Sequence, residues 1–479
     1  MNKIYLTTPI YYVNDIPHIG HAYCSLATDT LARFWRKKLG KKNVFFLTGV
    51  DENSQKTVEA AKKNNKEIYV YLEDMSQVWK KTWEELNISF DDFIRTTEKR
   101  HINTVNKILQ KIYDAGDIYK SKYKGKYCSG CEKFLKDSEL DENGLCPEHL
   151  KKPEILEEEN YFFRLSKYED VLLDFFEKYP DFLLPEKRKK EVLNFIKSGL
   201  EDISISRENA KFGIDFPFDK NHKIYVWFEA LINYLSALGE DKKNVWQNTH
   251  HIIGKEITKF HCVIWPAMLF SAKIDLPRSV FAHGFFTING IKMSKTLGNV
   301  ISPLVLAKKF GNDALRLGIL SSFEFGNDGD FSIDNFTNFY RTKLAGGIGN
   351  LFNRVVTLLH KFFNGDKILF ISNKEENKKF KNQSLANFDK LLEEKKIKAA
   401  IDFFLKIQDD ANKLLNETEV WRLAKTNLEE SKKIFEKLLI YLELITEISE
   451  IFLPESFPEM KKIIGDEKKV GETKILYKN

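Results

Sequence analysis

The sequence predicts an α/β fold: a doubly wound parallel sheet, split by an insertion and followed by a bundle of α-helices. Short apolar runs alternate with helical stripes from residue 4 onward, which is the pattern of βαβ units. A cysteine-rich segment interrupts this alternation, and only helical periodicity follows residue 333. The predicted ranges are 1–116 and 211–332 for the two halves of the sheet domain, 117–210 for the insertion, 333–456 for the bundle and 457–479 for a C-terminal tail.

The first predicted βαβ unit lies near the start of the chain. The runs KIYLTT and NVFFLTG are rich in residues that favour strands. Between them, residues 19–39 place their apolar side chains on one helical stripe, and Gly40 is a typical stop signal. Because parallel strands need such a crossover helix, this segment predicts a Rossmann-like arrangement.

Further strands are predicted in the second half of the sheet domain, at KIYVWFEA, HHIIGKEI and SVFAHGFF, each followed by a helical stretch. Beyond residue 333, stripes such as SKKIFEKLLIYLELITEISEIF predict helices only, and therefore a bundle. The charged residues after 456 predict a loosely held tail.

Composition narrows the class of protein. The 479 residues are 43% hydrophobic and carry a formal net charge of +6. This basic balance permits a polyanionic partner but does not require one, since lysine-rich surfaces are often simply solvated. No apolar stretch approaches the length of a membrane span, and MNKIYLTTPI resembles neither a signal peptide nor a transit segment. We therefore expect a cytoplasmic protein without a membrane partner.

Three of the five cysteines lie close to one histidine. YCSGCEKF contains a C-x-x-C pair and GLCPEHL contains a C-x-x-H pair. Two such pairs complete a tetrahedron of zinc ligands without an open position for catalysis. The alternative, a disulfide, is disfavoured in a reducing cytoplasm. The expected ligands of one structural zinc ion are Cys128, Cys131, Cys146 and His149.

The segment IPHIGHAY places two histidines three residues apart at the start of the first predicted helix. In an open parallel sheet, ligands bind where strands end and helix N-termini offer unpaired N–H groups. Pro17 presets the backbone of this turn, and Gly20 leaves room for a flat ring or a phosphate. His18 and His21 are therefore candidate donors to a triphosphate, although a buried structural histidine is the commoner role for any single one.

A second candidate segment, NGIKMSKTLGN, follows the last predicted strand. Lys292 and Lys295 lie there in a loop bracketed by glycine and asparagine. Two lysines on a mobile loop can follow negative charge from the β- and γ-phosphates to the departing pyrophosphate. Loop lysines usually have no such role, so this interpretation depends on the rest of the chain.

HIGH early and KMSKT late in a split doubly wound sheet resemble the paired motifs of class I aminoacyl-tRNA synthetases. Within that class, roughly residues 4 to 455 resemble the methionyl-tRNA synthetases of the bacterial type with a single zinc knuckle. The resemblance is carried by TTPIYYVNDIPHIGHAY, FLTGVDENSQK, the knuckle, IYVWFEALINYL, IIGKEITKFHCVIWPA, FAHGFFTINGIKMSK, GNLFNR and Trp421. Thr296 departs from the family's usual serine, and Val420 stands where a proline commonly precedes the tryptophan.

The resemblance implies that ATP, with Mg²⁺, activates L-methionine to methionyl adenylate, and that methionine is then transferred to the 3′-terminal ribose of elongator and initiator tRNA(Met). It assigns catalysis to His18, His21, Lys292 and Lys295. It places ATP against His18, Gly20, His21, Gly254, Glu256, His283, Gly284 and Lys295. It lines the methionine pocket with Ile10, Tyr12, Asp51, Trp227, Ala230, Leu231, Tyr234, Ile257 and His261.

The chemistry of these pocket residues suits methionine. A thioether is soft and apolar, and aromatic rings are its favoured neighbours. A hydrogen bond to sulfur from Tyr12 or His261 would separate methionine from leucine, and Asp51 would pair with the substrate's ammonium group. The alternative is that the aromatic residues are core and Asp51 is a helix cap.

The resemblance also assigns anticodon recognition in the helical domain to Asn350, Arg354 and Trp421. An unpaired base can stack on an indole while an amide and a guanidinium contact its edge and backbone. The alternative is that Trp421 packs between helices and that Arg354 is a solvated surface residue.

Rival functions fit the sequence less well. Leucyl and valyl enzymes resemble larger proteins with an editing domain, for which residues 117–210 leave no room. A cysteinyl enzyme would use zinc at its amino-acid site, and a non-catalytic tRNA-binding paralogue would be expected to have lost its histidines or lysines. The absence of an appended domain after the bundle favours a monomer.

Overall fold

The computed structural model describes residues 3–128, 133–135, 137–147, 150–208, 210–239, 243–288, 290–292, 300–367 and 374–478. The chain divides into two compact units. The first unit comprises Met1–Pro17, Lys41–Glu84 and Ser89–Ala282. The second unit comprises His18–Gly40, Glu85–Ile88 and His283–Asn479.

Most of the described strands lie in the first unit. The strands are β1 (Ile4–Tyr12), β2 (Val44–Asp51), β3 (Asp92–Arg95), β4 (Ile118–Cys128), β5 (Lys133–Leu135), β6 (Glu154–Phe163), β7 (Leu183–Leu184), β8 (Ile203–Ser204), β9 (Ser206–Arg207), β10 (Asp215–Phe216), β11 (Asp219–Ile224), β12 (Thr249–Gly254), β13 (Ser279–His283), β14 (Phe286–Ile288), β15 (Ile291–Lys292) and β16 (Gly329–Phe331).

Helices occur in both units and dominate the second. The α-helices are α1 (Ile19–Leu39), α2 (Gln55–Lys63), α3 (Ile68–Glu85), α4 (Lys99–Asp114), α5 (Glu169–Lys178), α6 (Glu186–Lys197), α7 (Val226–Ala230), α8 (Asn233–Ser236), α9 (Trp265–Ser271), α10 (Pro303–Phe310), α11 (Asn312–Ser321), α12 (Ile333–Phe339), α13 (Asn350–Phe363), α14 (Lys374–Glu393), α15 (Ile397–Glu417), α16 (Val420–Thr426), α17 (Leu428–Phe452) and α18 (Phe457–Ile464).

Six strands form the central sheet of the first unit, in the order β3-β2-β1-β12-β13-β7. β1 pairs in parallel with β2 on one side and with β12 on the other, and β2 pairs in parallel with β3. The chain therefore winds outward from β1 in both directions, which creates a topological switch point between β1 and β12. This arrangement confirms the predicted parallel sheet.

The hydrophobic core of the first unit packs against the central sheet. Every residue of β2 is buried, as expected for a parallel strand covered on both sides. One continuous apolar cluster includes Leu47 of β2, Leu109 of α4 and Val280 of β13. Burial of this cluster fixes the strand ends, where the sequence places the candidate pocket.

The predicted insertion contains a second, antiparallel sheet in the order β5-β4-β6-β8. The chain does not stay in that sheet, because β7 returns to pair in parallel with β13 of the central sheet. A third, small sheet of the first unit has the order β10-β11-β9. Residues within 117–210 thus contribute to all three described sheets of this unit, a feature that the sequence does not predict.

The second unit is mainly helical, with a small sheet in the order β15-β14-β16. A buried ion pair, with a nitrogen–oxygen distance of 2.6 Å, joins Arg316 of α11 to Asp29 of α1. Arg33, one turn further along α1, donates to the same carboxylate at 2.7 Å. These contacts anchor α1 in the second unit.

The described elements after residue 333 are helices, which agrees with the predicted helical bundle.

Three local predictions are wrong. SVFAHGFF is predicted as one strand followed by a helix, but β13 ends at His283, β14 begins at Phe286 in another sheet, and β15 follows it. KIYVWFEA is predicted as one strand, but β11 ends at Ile224 and α7 begins at Val226. A short apolar run suits either a strand or a buried helix, and here the helix buries Val226 and Phe228. The tail is predicted to be loosely held, yet α18 buries Met460 and Ile463, and the Tyr340 hydroxyl donates to the Lys478 carbonyl at 2.6 Å.

Among the described residues, no helix is both long enough and apolar enough to cross a membrane.

Candidate functional site

Two predicted methionine-binding residues and one predicted ATP-binding residue lie at the carboxyl ends of adjacent strands in the first unit. Tyr12 ends β1, and its partner in the parallel register is Asp51, which ends β2. Gly254 ends β12, the strand on the other side of β1. These three positions flank the switch point, which is where open parallel sheets bind ligands.

Aromatic rings line one side of this region. The rings of Tyr12 and Trp227 meet edge to face with centroids 6.0 Å apart. Trp227 stacks in turn on Phe260, with centroids 4.1 Å apart. Ile10 and Ile257 are partly buried against the same apolar cluster. Such a surface suits a thioether, which makes favourable contacts with aromatic rings.

The buried half of the predicted pocket lies on short helices. Ala230 belongs to α7 and is followed by Leu231, and Tyr234 belongs to α8. All three side chains are buried. Core packing is the alternative role of the aromatic residues, and the burial of Tyr234 fits that role as well as it fits a pocket wall.

Tyr234 and His261 form a tightly hydrogen-bonded pair. The Tyr234 hydroxyl lies 2.6 Å from His261 Nε2, and His261 Nδ1 lies 3.0 Å from the Ile257 carbonyl oxygen. Because a carbonyl only accepts, Nδ1 carries the proton and Nε2 accepts from tyrosine. Burial lowers the pKa of His261 to about 4, so the ring is neutral near pH 7.

The hydrogen bonds of His261 limit which residue can donate to the sulfur of methionine. Tyr12 and His261 are the two donors expected for the sulfur of methionine. The single N–H of neutral His261 already faces the Ile257 carbonyl. Of the two, only Tyr12 retains that role without a rearrangement of the imidazole.

Two carboxylates stand near the strand ends. Asp51 is buried, and its Oδ1 accepts from the Asn53 backbone N–H at 3.2 Å and from the Thr96 hydroxyl at 3.4 Å. The carboxylate of Glu256 lies directly against Gly254, since a Cβ on that glycine would be 2.5 Å from a Glu256 oxygen. Gly254 thus gives Glu256 close access to the backbone at the end of β12.

The two histidines of the HIGH segment organise the start of α1 in the second unit. His18 is the N-cap residue, and its Nδ1 accepts from the Gly20 N–H at 3.1 Å. The backbone N–H of His18 donates in turn to His21 Nδ1 at 3.3 Å. The two rings stack with centroids 3.6 Å apart. This reciprocal capping box explains locally why a helix begins with this sequence.

The capping bonds also determine which ring nitrogens are protonated. Because each Nδ1 accepts, the proton of each neutral imidazole is on Nε2. Burial lowers the pKa of His18 to about 4, and burial together with His18 lowers the pKa of His21 well below its ordinary value. The pair therefore offers neutral N–H donors beside the positive end of the helix dipole, a combination that suits a phosphate.

The second predicted motif lies only partly within the described residues. Lys292 ends β15, whose backbone pairs with Thr287 of β14. Lys295 lies outside the described residues. Directly after that stretch, the Ile301 carbonyl accepts from the Ile19 N–H at 3.0 Å. The chain leaving the KMSKT segment is thus bonded to the first turn of α1.

His283 and Gly284 lie at the end of β13. His283 Nδ1 donates to the Gly284 carbonyl at 2.9 Å, and its ring faces Tyr23 and Phe325. A Cβ at Gly284 would lie 2.2 Å from backbone atoms of Asn327. Close packing therefore requires glycine at this position independently of any nucleotide.

Two of the four predicted zinc ligands lie among the described residues. Cys128, at the end of β4, and Cys146 are both buried in a small cluster with Leu135. Cys131 and His149 lie outside the described residues. Among the described residues, no group of three or more potential ligands is assembled. Two buried sulfurs in one cluster fit the donor set of a structural zinc ion.

Two of the predicted anticodon residues are in contact. The Arg354 guanidinium lies 5.4 Å from the centroid of the Trp421 ring, and its Nη2 donates to Asn416 Oδ1 at 2.9 Å. Asn350 is exposed one helical turn before Arg354 on α13. Trp421 is only half-buried, which differs from the core role considered for it.

Two neighbours of the predicted residues were not identified from the sequence. Phe260, next to His261, extends the aromatic wall formed by the rings of Tyr12 and Trp227. Its place in the segment TKFHCVIW, beside a predicted pocket residue, is a sequence signal that could identify it. Asn416 orients Arg354 from another helix. No sequence spacing connects α13 to α15, so that contact could not be anticipated.

Comparison with known proteins assigns the chain to a family. The family model described as tRNA synthetases class I (M) matches residues 4–152 and 149–356. A methionine–tRNA ligase of Thermotoga maritima is 40% identical over 478 residues, which cover 95% of this chain and 76% of that protein. A methionine–tRNA ligase of Rickettsia felis is 39% identical over 493 residues, covering 100% of this chain and 94% of that protein.

Solved structures agree with this assignment. The structure of Mycobacterium tuberculosis methionyl-tRNA synthetase in complex with methionyl-adenylate superimposes with a TM-score of 0.93 at 33% identity, covering 100% of both chains. The family model, the relatives that match nearly the whole of this chain and the structural match agree, so the chain belongs to the methionyl-tRNA synthetase family of class I tRNA synthetases.

Proposed function

We propose that this chain is a methionine–tRNA ligase. It activates L-methionine with ATP to methionyl adenylate and pyrophosphate, and then transfers the methionyl group to the 3′-terminal ribose of tRNA(Met). The observation that carries the proposal is the match over the whole chain to a synthetase structure in complex with methionyl-adenylate. The pocket of aromatic rings at the strand ends and the capped start of α1 support it.

Neither step needs a nucleophile from the protein. The methionine carboxylate attacks the α-phosphorus of ATP, the bond to the β-phosphate breaks, and pyrophosphate leaves. A ribose hydroxyl of tRNA then attacks the carbonyl carbon of the mixed anhydride, loses its proton, and AMP leaves. The work of the enzyme is to position reactants and stabilise charge.

The first unit selects the amino acid. We assign the ammonium group of methionine to Asp51 and the thioether to the aromatic wall of Tyr12 and Trp227. Glu256, just after β12, is assigned to a ribose hydroxyl of the adenosine, with its carboxylate against Gly254.

The second unit supplies the phosphate donors. The Nε2–H groups of His18 and His21 are assigned to phosphate oxygens. Lys292 and Lys295 are assigned to the pyrophosphate as its charge develops. Mg²⁺, bound with ATP, would neutralise part of the same charge.

The remaining parts of the proposal concern metal, RNA and location. Cys128, Cys131, Cys146 and His149 would hold one zinc ion that stabilises the insertion and takes no part in the reaction. Residues 333–456 would form the anticodon-binding domain, with Asn350, Arg354 and Trp421 at the anticodon of elongator and initiator tRNA(Met). The enzyme would act in the cytoplasm as a monomer.

Amino-acid-dependent exchange of pyrophosphate into ATP tests the proposal. The purified chain should catalyse exchange with methionine, and exchange with leucine, valine or cysteine should be at least about a hundredfold slower. Faster exchange with one of those three amino acids would assign the chain to the corresponding synthetase. No exchange with any amino acid would favour a non-catalytic tRNA-binding role.

A further inference from the structure

A buried polar network adjoins the predicted methionine pocket of the first unit, and none of the assigned roles uses it. Glu229 of α7 lies at its centre and has no exposed surface. One carboxyl oxygen, Oε1, accepts from Asn53 Nδ2 at 2.8 Å. The other, Oε2, lies 2.6 Å from Nε2 of His101 in α4. Burying such groups is costly unless every one of them is hydrogen-bonded.

The network continues beyond His101 and ends on the backbone. His101 Nδ1 lies 3.0 Å from the Ser236 hydroxyl, which itself donates to the Ile232 carbonyl at 2.9 Å. The serine oxygen therefore accepts, and His101 carries a proton on Nδ1. Every hydrogen bond from Asn53 to Ile232 is thus accounted for, and the chain of bonds joins α4, α7, α8 and the segment after β2.

One proton between Glu229 and His101 completes the network. Burial raises the pKa of Glu229 and lowers that of His101, and the neighbouring Arg100 also lowers the latter while Glu98 opposes it. Both directions favour a neutral pair, in which the protonated carboxyl group donates to His101 Nε2. A glutamine at position 229 can make the same two bonds with the same shape.

Two members of this network, Asn53 and Glu229, adjoin residues assigned to the methionine pocket. The backbone N–H of Asn53 donates to Oδ1 of Asp51, the residue assigned to the substrate's ammonium group. Glu229 itself sits between two assigned pocket residues of the same short helix, Trp227 and Ala230. A displacement of Glu229 would therefore move the Asp51 carboxylate relative to the aromatic wall of Tyr12 and Trp227.

We propose that Glu229 is a positioning residue for methionine binding, which holds the Asp51 segment and helix α7 in register through its hydrogen bonds to Asn53 and His101. This inference rests on the proposed function. It adds a residue that touches no substrate atom but sets the geometry of those that do.

The test compares Glu229→Ala with Glu229→Gln in methionine-dependent pyrophosphate exchange. Alanine leaves the Asn53 amide with only its 3.5 Å contact to the Thr96 carbonyl and deprives buried His101 Nε2 of Glu229, so KM for methionine should rise about tenfold or more. KM for ATP should stay within about twofold. Glutamine retains both bonds, so its KM for methionine should lie within about threefold of the parent value.

Tyr168→Phe is the matched control. It removes another buried hydrogen bond of the first unit, from Tyr168 to Asp117, that involves no assigned pocket residue. This variant should melt at a lower temperature with an unchanged KM for methionine. Melting temperatures of all variants are recorded beside the kinetics.

Three results would overturn the inference. A folded Glu229→Ala variant with the parent KM for methionine would reduce Glu229 to a stability role. Equal impairment of the Gln and Ala variants would exclude hydrogen bonding as the cause. If Glu229→Ala does not fold, Asn53→Ala takes its place, and an unchanged KM there would have the same meaning. A parent protein inactive with methionine would instead refute the proposed function.

Discussion

At the residue scale, protonation is the property that the sequence could not reveal. HIGH marks two histidines at a helix start, and α1 begins as predicted at Ile19. The sequence alone leaves open whether His18 and His21 act as cations. The hydrogen bonds to each Nδ1 and the burial of both rings make them neutral donors instead. Such assignments depend on contacts made only after folding.

Burial of neutral His261 predicts a loss of stability in acid. Its pKa is about 4 in the folded protein and about 6.5 when unfolded. Between these values the unfolded state binds more protons, so stability falls as the pH drops from 6.5 towards 4. From pH 7 to 5 this residue should account for a loss of about 2 kcal/mol. Urea unfolding of the parent and of His261→Gln should show a shallower pH dependence for the variant; equal slopes would contradict the assignment.

Trp421 provides a residue-scale test of RNA recognition. A base stacked on an exposed indole contributes about 1 to 3 kcal/mol. Trp421→Ala should therefore lower aminoacylation by about one to two orders of magnitude at subsaturating tRNA, with pyrophosphate exchange almost unchanged. Phe380→Ala, at an exposed aromatic residue of α14, is the control and should affect neither activity. A lower melting temperature with equal loss of both activities would show that Trp421 is a core residue.

At the element scale, long periodic segments were predictable and short apolar runs were not. Residues 19–39 were predicted as a helix and match α1, because 21 residues of consistent periodicity leave little ambiguity. KIYVWFEA was misassigned because eight residues do not distinguish period 2 from period 3.6. β7 has only two residues, and its partner β13 is remote in sequence. Its return to the central sheet therefore left no local signal.

The zinc knuckle is an element whose stability should depend on its metal. Cys128→Ser removes one of four proposed ligands, so the variant should lose bound zinc and the insertion should be cleaved faster by protease. Cys262→Ala, at a buried cysteine of the first unit outside the knuckle, should keep the parent zinc content. The zinc content of both variants is measured by metal analysis after gel filtration in a buffer that contains a chelator. One tightly held zinc ion per chain in Cys128→Ser would refute the ligand assignment.

The KMSKT segment is the subject of a second prediction at this scale. Lys295→Ala should remove one charge from the developing pyrophosphate and slow activation by roughly 10² to 10³, while KM for methionine stays nearly constant. Lys308→Ala, at an exposed lysine of α10 beyond this segment, should keep the parent rate. A near-normal exchange rate in Lys295→Ala would remove that residue from the catalytic set.

At the scale of the whole molecule, the sequence was sufficient for the family and for the order of sheet, insertion and bundle. Motifs such as HIGH and KMSKT each carry little information, but their order along 479 residues leaves little room for chance. The sequence does not predict long-range hydrogen-bond partners, such as His101 for Glu229 and Asn416 for Arg354. These pairs are formed by tertiary packing, and no periodic pattern in the sequence indicates them.

Esterification of tRNA(Met) with radiolabelled methionine by the purified chain tests the proposed ligase activity itself. We expect label on the 3′-terminal ribose, dependent on ATP and Mg²⁺ and abolished when that ribose has been oxidised with periodate. Leucine and cysteine should give no such product. Absence of methionyl-tRNA from a folded preparation, or charging with another amino acid instead, would contradict the proposed activity.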